Sequence, residues 1–213
     1  MLKPSFSTLI IALGLAGCLA GCTAAGPQNR PERVTGVPVQ GQQDWTADIA
    51  LAKVSDKHQR LFHGALTAMK KQRYAQAEQL LLELTQAAPK LSTPWANLGM
   101  IYLAQDRGEE ATGALRKAIE INPANCPAHN QMGILARQHG DFASAEASYL
   151  ACLQRVPRFR DAYLNLGILY ELYLGRLPEA LDAYRQYQAL LQEPDHRIRG
   201  WVMDLERRLG NQS

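Results

Sequence analysis

An all-α superhelix of four stacked helix hairpins, closed by a C-terminal capping helix, is the fold class this sequence predicts. Three observations predict it. Glycines recur at Gly99, Gly133 and Gly167, a pitch of 34 residues. Alanines at Ala77, Ala111 and Ala145 keep that pitch, and so do prolines at Pro89, Pro123 and Pro157. A repeat of this length is one hairpin that cannot bury its apolar face alone, so neighbours must stack into a shared core. Such solenoids usually work by binding other proteins, with no chemistry of their own.

At 213 residues the chain is long enough for one domain with a sizeable core. Its formal charge of +3 gives no basis for nucleic-acid binding. Arg155, Arg158 and Arg160 cluster at one repeat junction. They read as a solvated loop, with an anion patch as the alternative.

Residues 1–21 read as a leader. Lys3 supplies a positive start, and Phe6 to Leu19 is an apolar run too short to span a bilayer. Leu19-Ala20-Gly21-Cys22 follows. This resembles the bacterial lipoprotein signal, which implies a diacylglycerol on the Cys22 thiol, cleavage before it and acylation of the new N-terminus. A plain secretory leader is the alternative. Leu15-Ala16-Gly17-Cys18 is an identical box four residues earlier. Cys22 is preferred because it leaves a longer apolar run and the chain turns polar directly after it. Thr23 stands where an Asp favours retention at the inner membrane, so the resemblance implies the outer membrane, facing the periplasm. Several acyl chains hold a protein far more firmly than one, at about 0.8 kcal/mol per buried CH₂.

Residues 22–45 carry Pro27, Pro31 and Pro38 with Gly26, Gly36 and Gly41 between them, and read as a flexible tether. Trp45, Ile49 and Leu51 begin to look foldable, and 46–57 is expected to form a short N-terminal cap.

Four repeats follow over 58–192. The second, 92–125, has Trp95, Leu98, Gly99, Tyr102, Ala111, Ala118 and Pro123. The third, 126–159, has Met132, Gly133, Ala136, Gly140-Asp141-Phe142, Ala145, Tyr149 and Pro157. The fourth, 160–192, has Tyr163, Leu166, Gly167 and Tyr170, then one inserted residue near Leu174-Gly175 that displaces its later members to Ala180 and Tyr184. The first, 58–91, is degenerate: it keeps Tyr74, Ala77 and Pro89 but has Leu61 and Ala65 where the aromatic and glycine would stand. Together these residues resemble the tetratricopeptide repeat family over about two-thirds of the chain, and terminal repeats are often atypical.

Physical chemistry supports the same elements. A mid-helix glycine costs about 1 kcal/mol against alanine, so its recurrence at one phase requires a close approach of paired helices. The prolines stop each second helix. Gln105-Asp106-Arg107-Gly108 and Arg137-Gln138-His139-Gly140-Asp141 read as tight turns inside hairpins. Residues 193–213 carry the capping helix, expected from Asp195 to Leu209. Ile198, Trp201, Val202, Leu205 and Leu209 form its apolar stripe, with Arg197, Arg199, Arg207 and Arg208 opposite. A basic membrane-binding helix is the rival reading. Cys126 and Cys152 fall at adjacent ends of antiparallel helices, and two readings stand: a disulfide, or two small buried residues.

In the tetratricopeptide family the first helix of each hairpin lines a concave groove. The resemblance carries that role onto Phe62, Leu66 and Met69; Ala96, Met100 and Leu103; Asn130, Ile134 and Arg137; and Leu164, Ile168 and Leu172. This mostly apolar surface implies a partner protein segment as ligand, unless residues 45–56 or the C-terminal helix cover part of it. One family variant clamps a C-terminal carboxylate, but Phe62 and Leu66 stand where it needs Lys and Asn. Asn97 and Asn165 occupy only generic positions.

Nothing reads as an enzyme. The sequence has no nucleophile elbow, phosphate loop or His-Glu-x-x-His helix. His58, His63, His129, His139 and His196 read as surface or packing residues, and two cysteines alone hold no metal, so no cofactor or metal is expected. Small tetratricopeptide lipoproteins serve as pilotins for type IV pilus secretins, as tight-adherence assembly factors and as adaptors for peptidoglycan hydrolases. The pilotin role is the first expectation, although the chain is shorter than those pilotins. A minor envelope enzyme is the outside alternative, and the groove positions lack the acid–base pair it would need.

Overall fold

A computed structural model of the chain describes residues 55–210. The expected leader, Cys22, the tether and most of the N-terminal cap lie outside the described residues. Within them the chain is helical, with no strand. Four hairpins run α1 (Asp56–Lys70) with α2 (Tyr74–Ala87), α3 (Ser92–Ala104) with α4 (Gly108–Ile121), α5 (Cys126–Gln138) with α6 (Phe142–Arg155), and α7 (Arg160–Leu169) with α8 (Leu177–Ala189). A π-helical turn, Tyr170–Leu174, extends α7, and α9 (His196–Gly210) closes the array. The first helix begins at Asp56, two residues ahead of the expected repeat, because Ser55 accepts from the His58 backbone N–H and caps it.

Each second helix packs on its hairpin partner and on the helix that follows it, the first of the next hairpin or the cap. Along one side α3 also meets α5, and α5 meets α7. First helices that touch across hairpins put the inner side of the curve on α3, α5 and α7. Three glycines make the hairpins close. A methyl added at Gly99 would lie 2.6 Å from Leu115 Cδ2. One at Gly133 would overlap the Tyr149 ring, and one at Gly167 the Tyr184 ring. The comb therefore marks sockets for bulky side chains of the second helix, rather than contact of bare backbones. Tyr149 and Tyr184 are the ring occupants of two of these sockets, each within its own hairpin.

Each hairpin turn contains one left-handed residue: Gln72 (φ 56°), Asp106 (φ 59°), Gly140 (φ 80°) and Gly175 (φ 65°). The inserted residue of the fourth repeat is absorbed by the π-helical turn, which adds one residue without breaking the hairpin. Asn125 and Asp141 cap α5 and α6 by accepting from the Ala128 and Ser144 N–H groups, both at 3.0 Å. Asp195 does the same for α9, accepting from Arg197 at 2.9 Å. The expected stripe on α9 is inward: Ile198 and Leu205 are buried, and Trp201 sits 5.4 Å from the Tyr184 ring. Cys126 and Cys152 are joined in a disulfide that ties the start of α5 to the end of α6, with Cα atoms 4.6 Å apart.

The core is not continuous. One cluster fills hairpins one and two, around Phe62, Leu81, Leu84, Leu98 and Ile101. Another fills hairpins three and four with the cap, around Tyr149, Leu169, Tyr184, Ile198 and Leu205. Between them lies a small cluster of Ala96, Leu115, Ala118 and Ala128.

Candidate functional site

The inner face is built on the helical period. Asn130, Ile134 and Arg137 share one face of α5, as Ala96, Met100 and Leu103 share one of α3. The structure divides the expected groove residues into two sets. Phe62, Met69, Ala96, Asn130 and Ile168 are buried and belong to the solenoid interior. Asn130 is consumed there: its Oδ1 accepts from Asn165 Nδ2 at 2.9 Å, which ties α5 to α7. These five offer little free surface, because neighbouring hairpins close over them. Leu66, Met100, Leu103, Ile134, Arg137 and Leu164 are half-buried, and Leu172 is 49% exposed. The usable face is thus narrower than the sequence pattern implies, and it widens at its far end.

That end is shaped by the π-helical turn. Tyr173, 45% exposed, packs 5.1 Å from the Phe142 ring and 5.5 Å from the Arg137 guanidinium. Glu171 is taken up behind it, accepting from Arg208 at 3.0 Å and from the Tyr184 hydroxyl at 3.1 Å. Burial pushes the Tyr149 hydroxyl up to about 12, with the nearby Arg137 charge opposing the rise. Burial and the Glu171 charge raise Tyr184 as well. His129 is held below its ordinary value by burial, with Nε2 donating to the Pro123 carbonyl at 3.0 Å. Among the described residues no group of three or more His, Cys, Asp or Glu is placed to hold a metal ion, and no helix is long and apolar enough to cross a membrane.

Two features escaped sequence reasoning. Arg107 lies 4.3 Å over the Tyr102 ring and bonds Glu78 of the preceding hairpin at 2.8 Å and Glu110 at 2.6 Å. Arg176 repeats the arrangement over Tyr170 at 4.5 Å, with Glu146 at 2.9 Å and Glu179 at 2.8 Å. The signal was present, since Glu78 and Glu146, and Tyr102 and Tyr170, stand two repeat lengths apart. The other is a cleft of about 880 Å³ between α6 and α8, floored by α7, with Leu150, Tyr163, Pro178 and Asp182 in its walls. No periodic position marks it.

Comparisons with known proteins agree with this geometry. A tetratricopeptide repeat family model matches residues 64–125 and 130–193. A thermophilic TPR protein of Thermus thermophilus superposes with a TM-score of 0.61 at 25% identity, covering 75% of this chain and 86% of that one. PilF of Pseudomonas aeruginosa superposes with a TM-score of 0.65 at 17% identity, covering 72% and 69%, and this likeness shows the fold alone. A curated relative, UDP-N-acetylglucosamine–peptide N-acetylglucosaminyltransferase of Giardia intestinalis, is 27% identical over 113 residues. That match covers 49% of this chain but only 8% of the relative. The chain belongs to the tetratricopeptide repeat family.

Proposed function

We propose that this protein is a lipid-anchored scaffold of the bacterial envelope, docking a segment of a partner protein in its inner groove and assisting assembly of a machine such as a type IV pilus secretin. One observation carries the docking reading. Leu66, Met100, Leu103, Ile134 and Leu164 keep free surface in a row along the inner face. Such a row is what an apolar helix or extended segment would cover. Tetratricopeptide repeats are a protein-binding architecture, and no feature of the site supports catalysis.

The lipoprotein-like box at Cys22 supports the anchor, with the Cys18 box as the competing site. The Cys126–Cys152 disulfide supports an oxidising compartment, where such bonds persist. Confinement by a lipid raises the effective concentration of partners at the membrane. The likeness to PilF contributes a fold and no more. Groove variants Met100→Glu and Ile134→Glu are expected to lose partner capture while keeping their helical spectrum; unchanged capture refutes docking. Secretin multimers that form normally in a deletion strain refute the pilus role. A chain that stays soluble without detergent refutes the anchor.

A further inference from the structure

Arg137 differs from every other cationic side chain among the described residues. Each remaining lysine or arginine is either solvent-exposed or bonded to a carboxylate. Arg137 is half-buried, makes no ion pair, and its Nε is buried without a hydrogen-bond partner. The Tyr149 hydroxyl beside it is buried and has this guanidinium as its polar neighbour. The acid that could have paired with it from the neighbouring repeat, Glu171, is held by Arg208 of the capping helix and by Tyr184. The exposed Tyr173 ring flanks the guanidinium. A half-buried guanidinium with no carboxylate partner is costly in the free protein, and a carboxylate reaching its accessible edge from the groove would offset that cost.

We propose that Arg137 anchors an acidic side chain, Asp or Glu, of the docked partner segment, with the Tyr173 ring flanking it. The inference rests on the groove-docking reading and adds to it the charge of the ligand. An internal side chain is favoured over a chain end because groove surface continues on both sides of Arg137, from Met100 and Leu103 to Leu164 and Leu172. A segment following the groove therefore passes Arg137 along its length. The carboxylate clamp known in other family members uses different positions, and Phe62 and Leu66 occupy two of those here.

The probe is a displayed library of random twelve-residue peptides selected on the full chain in detergent. Enriched peptides are expected to carry a central Asp or Glu between apolar residues. Replacing that Glu by Gln should weaken binding about tenfold, as expected for loss of a charge-assisted bond. Arg137→Gln should erase the difference between Glu and Gln peptides, and Arg137→Lys should retain part of it. On the unsubstituted chain, the Arg137 guanidinium N–H resonances should move with the Glu peptide and stay with the Gln peptide, a readout that needs no variant to fold. Enriched peptides that lack acid, or Glu and Gln peptides that bind alike, overturn the Arg137 assignment and leave groove docking standing. Failure to enrich any peptide, or enriched peptides that still bind Met100→Glu and Ile134→Glu, overturns the docking reading and this inference with it.

Discussion

The two halves of the solenoid are built to one plan and fastened differently. Hairpins one and two share one core and hairpins three and four share another, joined by a small cluster of alanines and Leu115. The C-terminal half carries the disulfide, tyrosine rings socketed over Gly133 and Gly167, glycine at both left-handed turn positions, and the α9 cap. In the N-terminal half aliphatic Leu115 sits over Gly99, the left-handed positions are Gln72 and Asp106, and no disulfide is present. Solenoid stability is nearly a sum of repeat and neighbour contributions. A stack fastened this way should open first at α1–α4 and last at α5–α9.

The largest expected effect comes from cutting the crosslink. The disulfide spans 26 residues of separation, and a loop of that size is worth about 3.5 kcal/mol in the chain-entropy account. Reduction, or Cys126→Ala with Cys152→Ala, should lower the urea midpoint and bring the two halves toward one transition. Hydrogen exchange resolved by helix measures it. Unchanged protection in α5 and α6 would show that the bond does not account for the asymmetry.

Next in size is the ring socket. Gly167→Ala should cost about 2 kcal/mol net, the overpacking against Tyr184 being only partly offset by better helix propensity. Gly99→Ala should cost less, because Leu115 can change rotamer where a ring cannot. Combining Gly167→Ala with Tyr184→Leu should cost less than the sum of the single changes. Repeat one already carries such a pair at the same positions, Ala65 and Leu81, both fully buried. Equal losses at Gly99 and Gly167 would remove the ring as the reason the halves differ.

These sockets also show what the sequence could and could not convey. The glycine comb carried the period and the hairpins, because every helix register follows from it; it set Cys126 near Cys152 and left open whether they bond or merely pack. It did not give the occupant of each socket, since a glycine records that space is filled and not by which side chain. The groove was readable to the level of helix face, as the shared face of Asn130, Ile134 and Arg137 shows. Depth on that face was not: Phe62 and Met69 are as inward in register as Leu66, yet only Leu66 keeps surface. Burial depends on how the next hairpin closes, which is a property of the stack. The extra residue near Leu174 was visible as a slip in register, while its conversion into a π-helical turn that places Tyr173 beside Arg137 was not.

A smaller effect should appear at the turns. Gln72 and Asp106 adopt a left-handed backbone that L residues reach at a cost, whereas Gly140 and Gly175 reach it freely. Gln72→Gly and Asp106→Gly should each stabilise by about 0.5–1 kcal/mol, and Gly140→Ala should destabilise by a similar amount. Slower exchange in α1–α4 of the glycine variants would narrow the difference between the halves. Faster exchange there would mean that chain entropy outweighs the relief of strain.

The smallest effects concern pH, and here the halves differ on the alkaline side. Hydrogen bonds from Arg107 and Arg176 hold the Glu110 and Glu179 carboxyls below their ordinary value of 4.5. A depressed carboxyl adds stability above its unfolded value and loses it as pH falls through the folded one. Acid loss should therefore begin below pH 4.5 and touch both halves, one salt-linked arginine in each. Salt should shrink it, since these groups are exposed. Arg107→Gln should flatten it in α1–α4 and leave it in α5–α8. The alkaline side is asymmetric. Burial raises Tyr149 and Tyr170 from 10.0 to about 12, so their contribution is complete below pH 10 and disappears as pH climbs toward 12. Both lie in the C-terminal half, as does Tyr184, which shifts the same way, against Tyr102 alone in the N-terminal half. Raising pH past 10 should thus weaken the better-fastened half more than the other, narrowing the difference in opening expected at neutral pH. Helix-resolved exchange in which the gap between α5–α9 and α1–α4 stayed unchanged at pH 11 would show that the tyrosine sockets stay neutral or tolerate the charge, and that the asymmetry resides in the disulfide.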